Sequence, residues 1–226
     1  MAAHASRTTA PRSPRAAAAP EPIALPRPRL GRGASLSKAL RARRTTREIA
    51  GRPLPRQLLS NLLWAACGVN RPRGPFGYAG LTAASASDSQ EVDVYVALEG
   101  GAYRFDAARH RLVPVTARDL RALAIGRGQR AMVTAAPVQL VYVADVHKLT
   151  HTRGFQEPGL HDPETQKAYY YVDTGLVAAN VYLFAASQGL AAWFHNCDRP
   201  ALHRALGLGA GQRVLFAQTV GYPARR

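Results

Sequence analysis

Alternation of apolar and polar residues predicts strands along the middle of the chain. In EVDVYVALE, which begins at Glu91, valines recur at every second position, the period of a strand with one buried face. The stretch VQLVYVADV, which begins at Val138, is almost continuously apolar and favours a central strand covered on both faces. Further strands are expected at 102–106 and 111–115, joined as a hairpin, and within 190–195 and 213–222.

Apolar residues three and four positions apart predict helices around these strands. Ser35 is a suitable N-cap for ASLSKALRARR, and 55-PRQLLSNLLWAACG-68 begins with proline, carries leucines on one face and ends with glycine. The longest candidate, at 166–189, is apolar on most faces, so we expect it to be buried. Two helical pieces are expected at about 117–135, and another helix in PALHRALGL. Because helices and strands mix without regular βαβ alternation, the pattern predicts an α+β fold with one sheet covered by helices.

Composition divides the chain into a tail and one domain. Residues 1–33 are rich in Ala, Pro and Arg and nearly lack large apolar side chains, so we expect most of this tail to be disordered. Its later part, 22-PIALPRP-28, is compatible with an extended path across the domain. Residues 34–226 form the domain. A chain of 226 residues with 47% hydrophobic content suffices for one domain with a core and not for two large ones.

The chain is strongly basic, with 30 Lys and Arg against 14 Asp and Glu and a net charge of +16. This balance favours an anionic partner, whether nucleic acid, a phosphate-bearing cofactor or an acidic surface. A basic nucleic-acid-binding protein is therefore one alternative. It is the less favoured one, because the aromatic residues lie within apolar strands and helices instead of alternating with the arginines.

Cysteine content and hydropathy indicate a cytoplasmic protein that does not enter a membrane. Cys67 and Cys197 make no disulfide framework, and no CxxC pair suggests zinc, so we expect a reducing compartment. No run approaches the about 18 apolar residues of a membrane span. The N-terminal region has arginines without the apolar core of a secretory signal, although its composition also fits a transit peptide.

Two segments have the composition of a binding site. Arg41, Arg43, Arg44 and Arg47 surround two threonines, and guanidinium forks together with hydroxyl donors suit a phosphate group. A solvated, charged helix end is the alternative interpretation. In 82-TAASASDSQEVDVYV-96, small and hydroxyl residues lead directly into a strand, which lets backbone amides approach a flat ligand. Taken alone, this second segment is better explained as an ordinary polar loop before a strand.

Other kinds of site find less support. His147 and His151 are four positions apart, with His161 and Asp162 downstream, which is a conceivable zinc set. However, DVHKLTHTRG lacks a convincing helical pattern and the glutamate of an HExxH motif, so we expect a loop without a metal. No GxSxG elbow supports a serine hydrolase.

Six blocks of sequence, taken in order, resemble the FMN-dependent nitroreductase superfamily. They are ALRARRTTREIAGRPLP, LLWAACGVNRP, TAASASDSQEVDVYVALEGGAYRFD, APVQLVYVAD, DTGLVAANVYLFAASQGLAAW and LFAQTVGYP. The resemblance extends from about residue 34 to 223 and looks closest to the branch of the SagB/ThcOx-type dehydrogenases. It implies a mixed, mostly antiparallel central sheet flanked by helices, and a homodimer with FMN at the interface.

The resemblance gives the basic segment a role, because the corresponding Arg-Arg-Ser-x-Arg segment of the family holds FMN. It implies that Arg43, Arg44 and Thr45 meet the phosphate. It also implies that Arg47 reaches the pyrimidine edge of the isoalloxazine, where a cation stabilises the charge gathered by the reduced ring.

The family's second flavin segment corresponds to Ala84 through Gln90. Gln90 matches the family pattern, whereas Asp88 stands where asparagine is usual. An ionised carboxylate beside reduced flavin opposes its charge, so we expect Asp88 to be turned away, protonated or paired with an arginine.

Two further parts of the chain depart from the family pattern. WFHNC corresponds to the flavin edge near N5, where His195-Asn196 replaces a common Arg-Gly. His195 is the best candidate for a catalytic proton donor, because of this position and its titration range. The family's C-terminal arm is shorter here, and Arg225 or Arg226 is expected to replace its phosphate contacts.

The resulting hypothesis is a homodimeric FMN-dependent oxidoreductase acting on a small molecule. Hydride is expected to pass through flavin N5 from NAD(P)H to a small organic acceptor of nitro, quinone or enone type. The alternative within the same family is a dehydrogenase or oxidase that modifies a peptide or natural product, as azoline oxidases do. The sequence leaves the direction of electron flow open.

Overall fold

The computed structural model describes residues 20–31, 33–126, 128–129, 136–153 and 161–224. Its centre is a seven-stranded sheet with the order β1-β6-β5-β4-β7-β9-β8, and each pairing between these strands is antiparallel. The strands of this sheet are β1 Ile23–Ala24, β4 Val92–Leu98, β5 Gly101–Asp106, β6 Arg111–Thr116, β7 Val138–Asp145, β8 Ala191–His195 and β9 Gln212–Gly221.

Helices and a small second sheet surround this centre. Strands β2, Val69–Arg71, and β3, Gly80–Leu81, form a two-stranded sheet beside it. The helices are α1 Leu36–Ala42, α2 Arg56–Cys67, α3 Val146–Thr150, α4 Pro163–Ser187 and α5 Arg199–Ala205. The predicted α+β class and the antiparallel, helix-flanked sheet are therefore confirmed. None of the helices in the described parts of the chain has the length and apolar character that a membrane crossing requires.

The central strands are covered on both faces. In the register that pairs Val94 with Tyr142, these two side chains pack in a core beneath α2 and α4. Their neighbours Tyr95 and Val141 pack in a second core on the opposite face, with Leu202 of α5. This confirms the buried strand expected from the apolar run at Val138. It also shows that β4 is buried on both faces, more than its alternating valines indicated.

Helix α4 buries one face and exposes another. Val177, Val181 and Ala185 are buried against the sheet. Val172 and Leu176 point outward, with 60% and 41% of their surface exposed. The expectation that this apolar helix is buried is thus correct for one face alone.

The N-terminal segment joins the domain earlier than expected. Ile23 and Ala24 pair with β6 as an edge strand, and Ser60 Oγ of α2 donates to the carbonyl of Pro26 over 2.5 Å. Gln57 Nε2 likewise donates to the carbonyl of Arg27 over 2.9 Å. Residues 22–28 thus follow an extended path across the domain, held by these hydrogen bonds and by Ile23 and Leu25 packed against the core. Residues 1–19 lie outside the described residues.

Two other local expectations are wrong. Residues 117–126 form turns instead of a helix, and the Asp119 carboxylate accepts from the Arg121 backbone N–H at 3.0 Å, which competes with helical bonding. The rest of that expectation, residues 127 and 130–135, lies outside the described residues. Residues 146–150 form α3 instead of a loop, because Asp145 caps the helix by accepting from His147 N.

Candidate functional site

A cavity of about 890 Å³ opens where the basic segment meets the end of α4 and the start of β8. Arg44, Thr45 and Arg47 line one side of it. The opposite side is built from small residues, which are Ala185, Ala186, Gly189, Ala191 and Ala192. Cations and hydroxyls thus face a surface made mainly of small side chains, with Tyr182 and Leu190 beside it, and this arrangement suits a flat ligand that carries a phosphate.

Backbone hydrogen bonds fix the basic segment at the cavity. Helix α1 ends at Ala42, and the Arg43 backbone N–H closes its last turn on the carbonyl of Ala39 at 2.8 Å. The chain then leaves the helix, and Thr46 N donates to the carbonyl of Ala192 at 3.0 Å. This bond holds the arginines beside β8.

A sharp turn after α4 shapes the facing wall. Gly189 has a φ of +66°, and Leu190 N donates back to the carbonyl of Ala185 at 2.8 Å, the hydrogen bond of a Schellman motif. The chain enters β8 directly after this turn. The small residues of the helix end and of the strand therefore belong to one surface.

A third side of the cavity forms where the segment after α1 meets the residues that follow β9. Ile49 forms a bridge with Pro223, and Ala224 N donates to the carbonyl of Glu48 at 2.9 Å. Close approach is possible because residue 221 is glycine, where a Cβ would lie 2.6 Å from Ile49 Cγ2. Pro223 and Ala224 line the cavity, whereas Arg225 lies outside the described residues.

The two adjacent arginines have different surroundings. The guanidinium of Arg43 lies over the ring of Tyr182, 5.5 Å from its centroid, while Arg44 lines the cavity. The guanidinium of Arg47 lies over the buried ring of Trp193 at 5.4 Å. Such cation–π contacts restrict where the charge is presented. Arg44 and Arg47 line the cavity, whereas Arg43 is not part of its lining.

Tyr182 is a residue that the sequence alone did not single out. Its hydroxyl accepts from Phe194 N at 2.8 Å and lies 3.1 Å from Thr45 Oγ1. It therefore links α4, β8 and the basic segment, and it also lines the cavity. The sequence does contain a signal for this role. Tyr182 is an aromatic residue with a hydroxyl group in an otherwise apolar stretch of α4, one turn before the small residues.

The loop of Asp88 and Gln90 lines a different cavity. Gln90 Nε2 donates to the carbonyl of Ala79 at 2.8 Å and to Asp88 Oδ1 at 3.0 Å. Asp88 Oδ2 is buried and has no hydrogen-bond partner among the described residues. Both side chains border a space of about 360 Å³ with His147, Lys148 and neighbouring residues. One chain therefore does not bring this loop and the basic segment to the same cavity.

His195 and Asn196 also stand apart from the basic cavity. His195 is buried, with Nδ1 2.9 Å from the carbonyl of Asn196 and Nε2 2.8 Å from Thr219 Oγ1. Burial lowers the pKa of its imidazole. Asn196 Oδ1 accepts from Arg199 Nη2 at 3.1 Å. Because both ring nitrogens of His195 are engaged within the protein, this geometry argues against its expected role as proton donor.

The histidines that suggested zinc are stacked on each other. The rings of His147 and His151 lie 3.9 Å apart at an interplanar angle of 10°. In the parts of the chain that the structure describes, no group of three or more His, Cys, Asp or Glu side chains is arranged to hold a metal ion.

Comparison with known proteins agrees with this architecture. The model of the nitroreductase family matches residues 40–222. A Methanocaldococcus jannaschii protein assigned as a nitroreductase is 30% identical over 165 residues, which cover 69% of this chain and 75% of that protein. A crystal structure from Ralstonia eutropha JMP134, also assigned as a nitroreductase, is 32% identical with a TM-score of 0.77 over 97% of each chain.

A more distant structure shares the fold. The NADPH:FMN oxidoreductase of Vibrio harveyi, solved with NAD+, is 22% identical with a TM-score of 0.58 over 84% of this chain and 69% of that one. The family match covers most of the present chain, including the basic segment, α4 and β8. This chain belongs to the nitroreductase family.

Proposed function

We propose that this protein is an FMN-dependent oxidoreductase that uses NAD(P)H to reduce a small organic acceptor. The observation that carries the proposal is the cavity between the basic segment and the small-residue surface, in a chain of the nitroreductase family. Its donor set fits FMN, since guanidinium and hydroxyl groups suit the phosphate and small side chains admit a flat ring. When bound, FMN supplies hydride transfer through N5.

The phosphate is held by Arg44 and Thr45 in this proposal. Arg44 lines the cavity, and its planar fork matches two phosphate oxygens. Thr45 has its hydroxyl near Tyr182 and offers a directed polar contact. Arg43, whose guanidinium lies over the Tyr182 ring, adds positive charge at longer range.

Arg47 stabilises the electron-rich form of the ring. Arg47 lines the cavity, and its guanidinium lies over the buried ring of Trp193. A fixed cation there favours negative charge on the pyrimidine side of the flavin when it is reduced. In this proposal the same segment therefore binds the phosphate of FMN and favours reduction of its ring.

The Asp88 and Gln90 loop is contributed by a second copy of the chain. Its separate position supports a site completed across a homodimer, as the family resemblance implies. In that arrangement the arginines of one protomer face the loop of its partner.

The test is to purify the protein and record its absorbance. We expect a yellow protein that carries non-covalent FMN and is bleached anaerobically by NADH or NADPH, and that then recovers colour with a nitro, quinone or enone compound. An azoline-containing peptide tests the opposite direction of electron flow, which the resemblance to the SagB/ThcOx branch raises. A colourless protein that also fails to bind added FMN would overturn the proposal.

A further inference from the structure

Two carboxyl groups meet in the interior beneath the loop that carries Asp88 and Gln90. Glu91 has no exposed surface and Asp173, on α4, is 4% exposed. Both bind the same short turn, Asp173 at Ala86 N and Glu91 at Ser89 Oγ, and each affects the pKa of the other, so the two groups are near each other. Two ionised carboxylates repel at such a distance, and each also loses hydration. A pair buried in this way is stable when it holds one proton.

Within the described part of the chain, the hydrogen bonds leave one oxygen of Glu91 without a donor. Glu91 Oε2 accepts from Ser89 Oγ at 2.6 Å, and Asp173 Oδ2 accepts from Ala86 N at 2.8 Å. Glu91 Oε1 is buried and has no other partner among the described residues. A proton on Glu91 Oε1 that is donated to Asp173 satisfies this atom. Burial, with the neighbouring Asp173 carboxylate, raises the pKa of Glu91 to about 7, and burial also raises the pKa of Asp173.

The pair holds both ends of a strained turn. Asp173 binds the start of the 3-10 turn Ala86–Asp88, and Glu91 binds Ser89 at its end. Within this segment Ser87, Asp88 and Gln90 have φ values of 50°, 54° and 51°. Non-glycine residues adopt this left-handed region at a cost, so surrounding contacts must hold them there.

We propose that Glu91 and Asp173 share one proton, and that this pair is a positioning device that sets the geometry of the 84–90 loop and makes FMN binding depend on pH. The inference rests on the proposed function, in which this loop contacts FMN. Neither carboxyl group touches the cofactor. Loss of the shared proton places two anions together and releases the turn from α4.

The other charged and titratable groups nearby have identifiable places. Cys67 of α2 borders the same small cavity as Asp173, and its thiol is neutral, since burial raises its pKa to about 12. Asp93 of β4 is paired with Lys148 at 2.7 Å. On the other side of the loop, Asp88 shares its cavity with three groups of α3 and its end, which are His147, Lys148 and His151.

The sign of the pH dependence follows from the raised pKa. The folded protein binds the Glu91 proton more tightly than the unfolded chain does. The associated stability is fully present below pH 4.5, the ordinary pKa of a glutamate carboxyl group, and is lost as pH rises through about 7. If FMN binds only to the protonated pair, its apparent Kd rises about tenfold per pH unit above this pKa.

Glu91→Gln is the direct test, because its amide permanently donates to Asp173 and still accepts from Ser89. Glu99→Gln makes the same chemical change at an exposed position just beyond β4 and is the control. FMN affinity and the thermal midpoint of the FMN-free protein are measured from about pH 5.5 to 8.5, a range that spans the folded pKa. FMN phosphate itself titrates near pH 6, so each curve is compared with that of the control.

We expect Glu91→Gln to flatten both profiles, so that its advantage over the unmodified chain grows to about tenfold in FMN affinity near pH 8. Asp173→Asn, which keeps an acceptor for Ala86 N, should flatten both profiles or shift them to lower pH. Asp173→Asn also tests the proposal if the Glu91→Gln variant does not fold.

The two readouts separate the possible failures. If both variants retain the pH profiles of the unmodified chain, the shared proton is wrong. If thermal stability responds as expected and FMN affinity does not, the positioning role is wrong. If FMN binds at no pH while the stability profiles differ as expected, the carboxyl pair stands and the proposed flavin function falls.

Discussion

At the residue scale, the arginines of the basic segment differ in their surroundings. Arg43 lies over Tyr182, Arg44 lines the cavity and Arg47 lies over Trp193. The resemblance implied equal phosphate roles for Arg43 and Arg44. The structure gives a reason to expect unequal ones, since Arg44 lines the cavity and Arg43 does not.

Arg44→Ala should therefore weaken FMN binding. Loss of a charge-assisted hydrogen bond costs about 1.5–3 kcal/mol, or roughly a 10- to 150-fold rise in Kd. Arg41→Ala removes the same charge from the exposed end of α1, outside the cavity lining, and is the control. Fluorescence titration of the FMN-free protein measures both. Equal weakening by the two substitutions would mean that net charge, and not a contact at Arg44, attracts the cofactor.

Arg47→Ala should change the flavin potential more than it changes affinity. Removing a cation beside the reduced ring makes reduction less favourable, and the expected shift is negative, on the order of tens of millivolts. Arg52 lies over Tyr222 at 4.3 Å and does not line the cavity, so Arg52→Ala is a control for loss of an arginine stacked on an aromatic ring. Anaerobic redox titration measures the flavin potential of both variants, and only Arg47→Ala should shift it. An unchanged potential with reduced affinity would place Arg47 at the phosphate.

At the scale of elements, periodicity predicted those parts whose structure depends on local pattern. The buried strand at Val138, the helix that begins after Ser35 and the helix that ends before Gly68 all follow from spacing and terminal residues. Errors occurred where one polar side chain decides the local structure. Asp119 forms a turn that competes with a helix, and Asp145 caps α3 in a stretch without helical periodicity.

The candidate site was less predictable than the fold for a different reason. The family resemblance identified the basic segment and the loop through Gln90, but sequence order carries no information on which segments share a cavity. Tyr182 contacts Thr45, which lies 137 positions earlier in the sequence, and Phe194, which lies 12 positions later. Glu91 and Asp173 are likewise adjacent in space and remote in sequence. These contacts between residues remote in sequence depend on how α4 packs against the sheet.

Strand β1 makes the N-terminal segment part of the domain. Ile23 and Leu25 pack against the main core, and Ser60 of α2 donates to the Pro26 carbonyl. Deleting residues 1–31 should lower the free energy of unfolding by about 2–4 kcal/mol, through lost hydrogen bonds and apolar contacts. Urea denaturation measures this change. Deleting residues 1–19 leaves these contacts in place and is the control, and equal stability of the two truncated proteins would show that β1 contributes nothing.

At the scale of the whole molecule, exposed apolar side chains form a candidate surface for the proposed dimer. Leu36 and Leu40 of α1 are 64% and 57% exposed, and Val172 and Leu176 of α4 form a further outward-facing group. Exposed apolar surface of this kind is typical of an interaction site. The separation of the Gln90 loop from the arginine cavity adds a chemical reason for dimerisation, because a partner can bring the missing loop.

Leu176→Asp should therefore weaken both the dimer and FMN binding. A buried, unpaired carboxylate at the interface costs several kcal/mol, while in the separated protomer the side chain is exposed and is tolerated. Sedimentation equilibrium should show a dimer for the unmodified chain and mainly monomer for the variant, with FMN content falling in parallel. Ala108→Asp adds the same charge at an exposed position in the β5–β6 turn and should change neither. A monomeric variant that retains full FMN affinity would place the whole cofactor site within one chain, and the loop of Asp88 and Gln90 would then have no part in it.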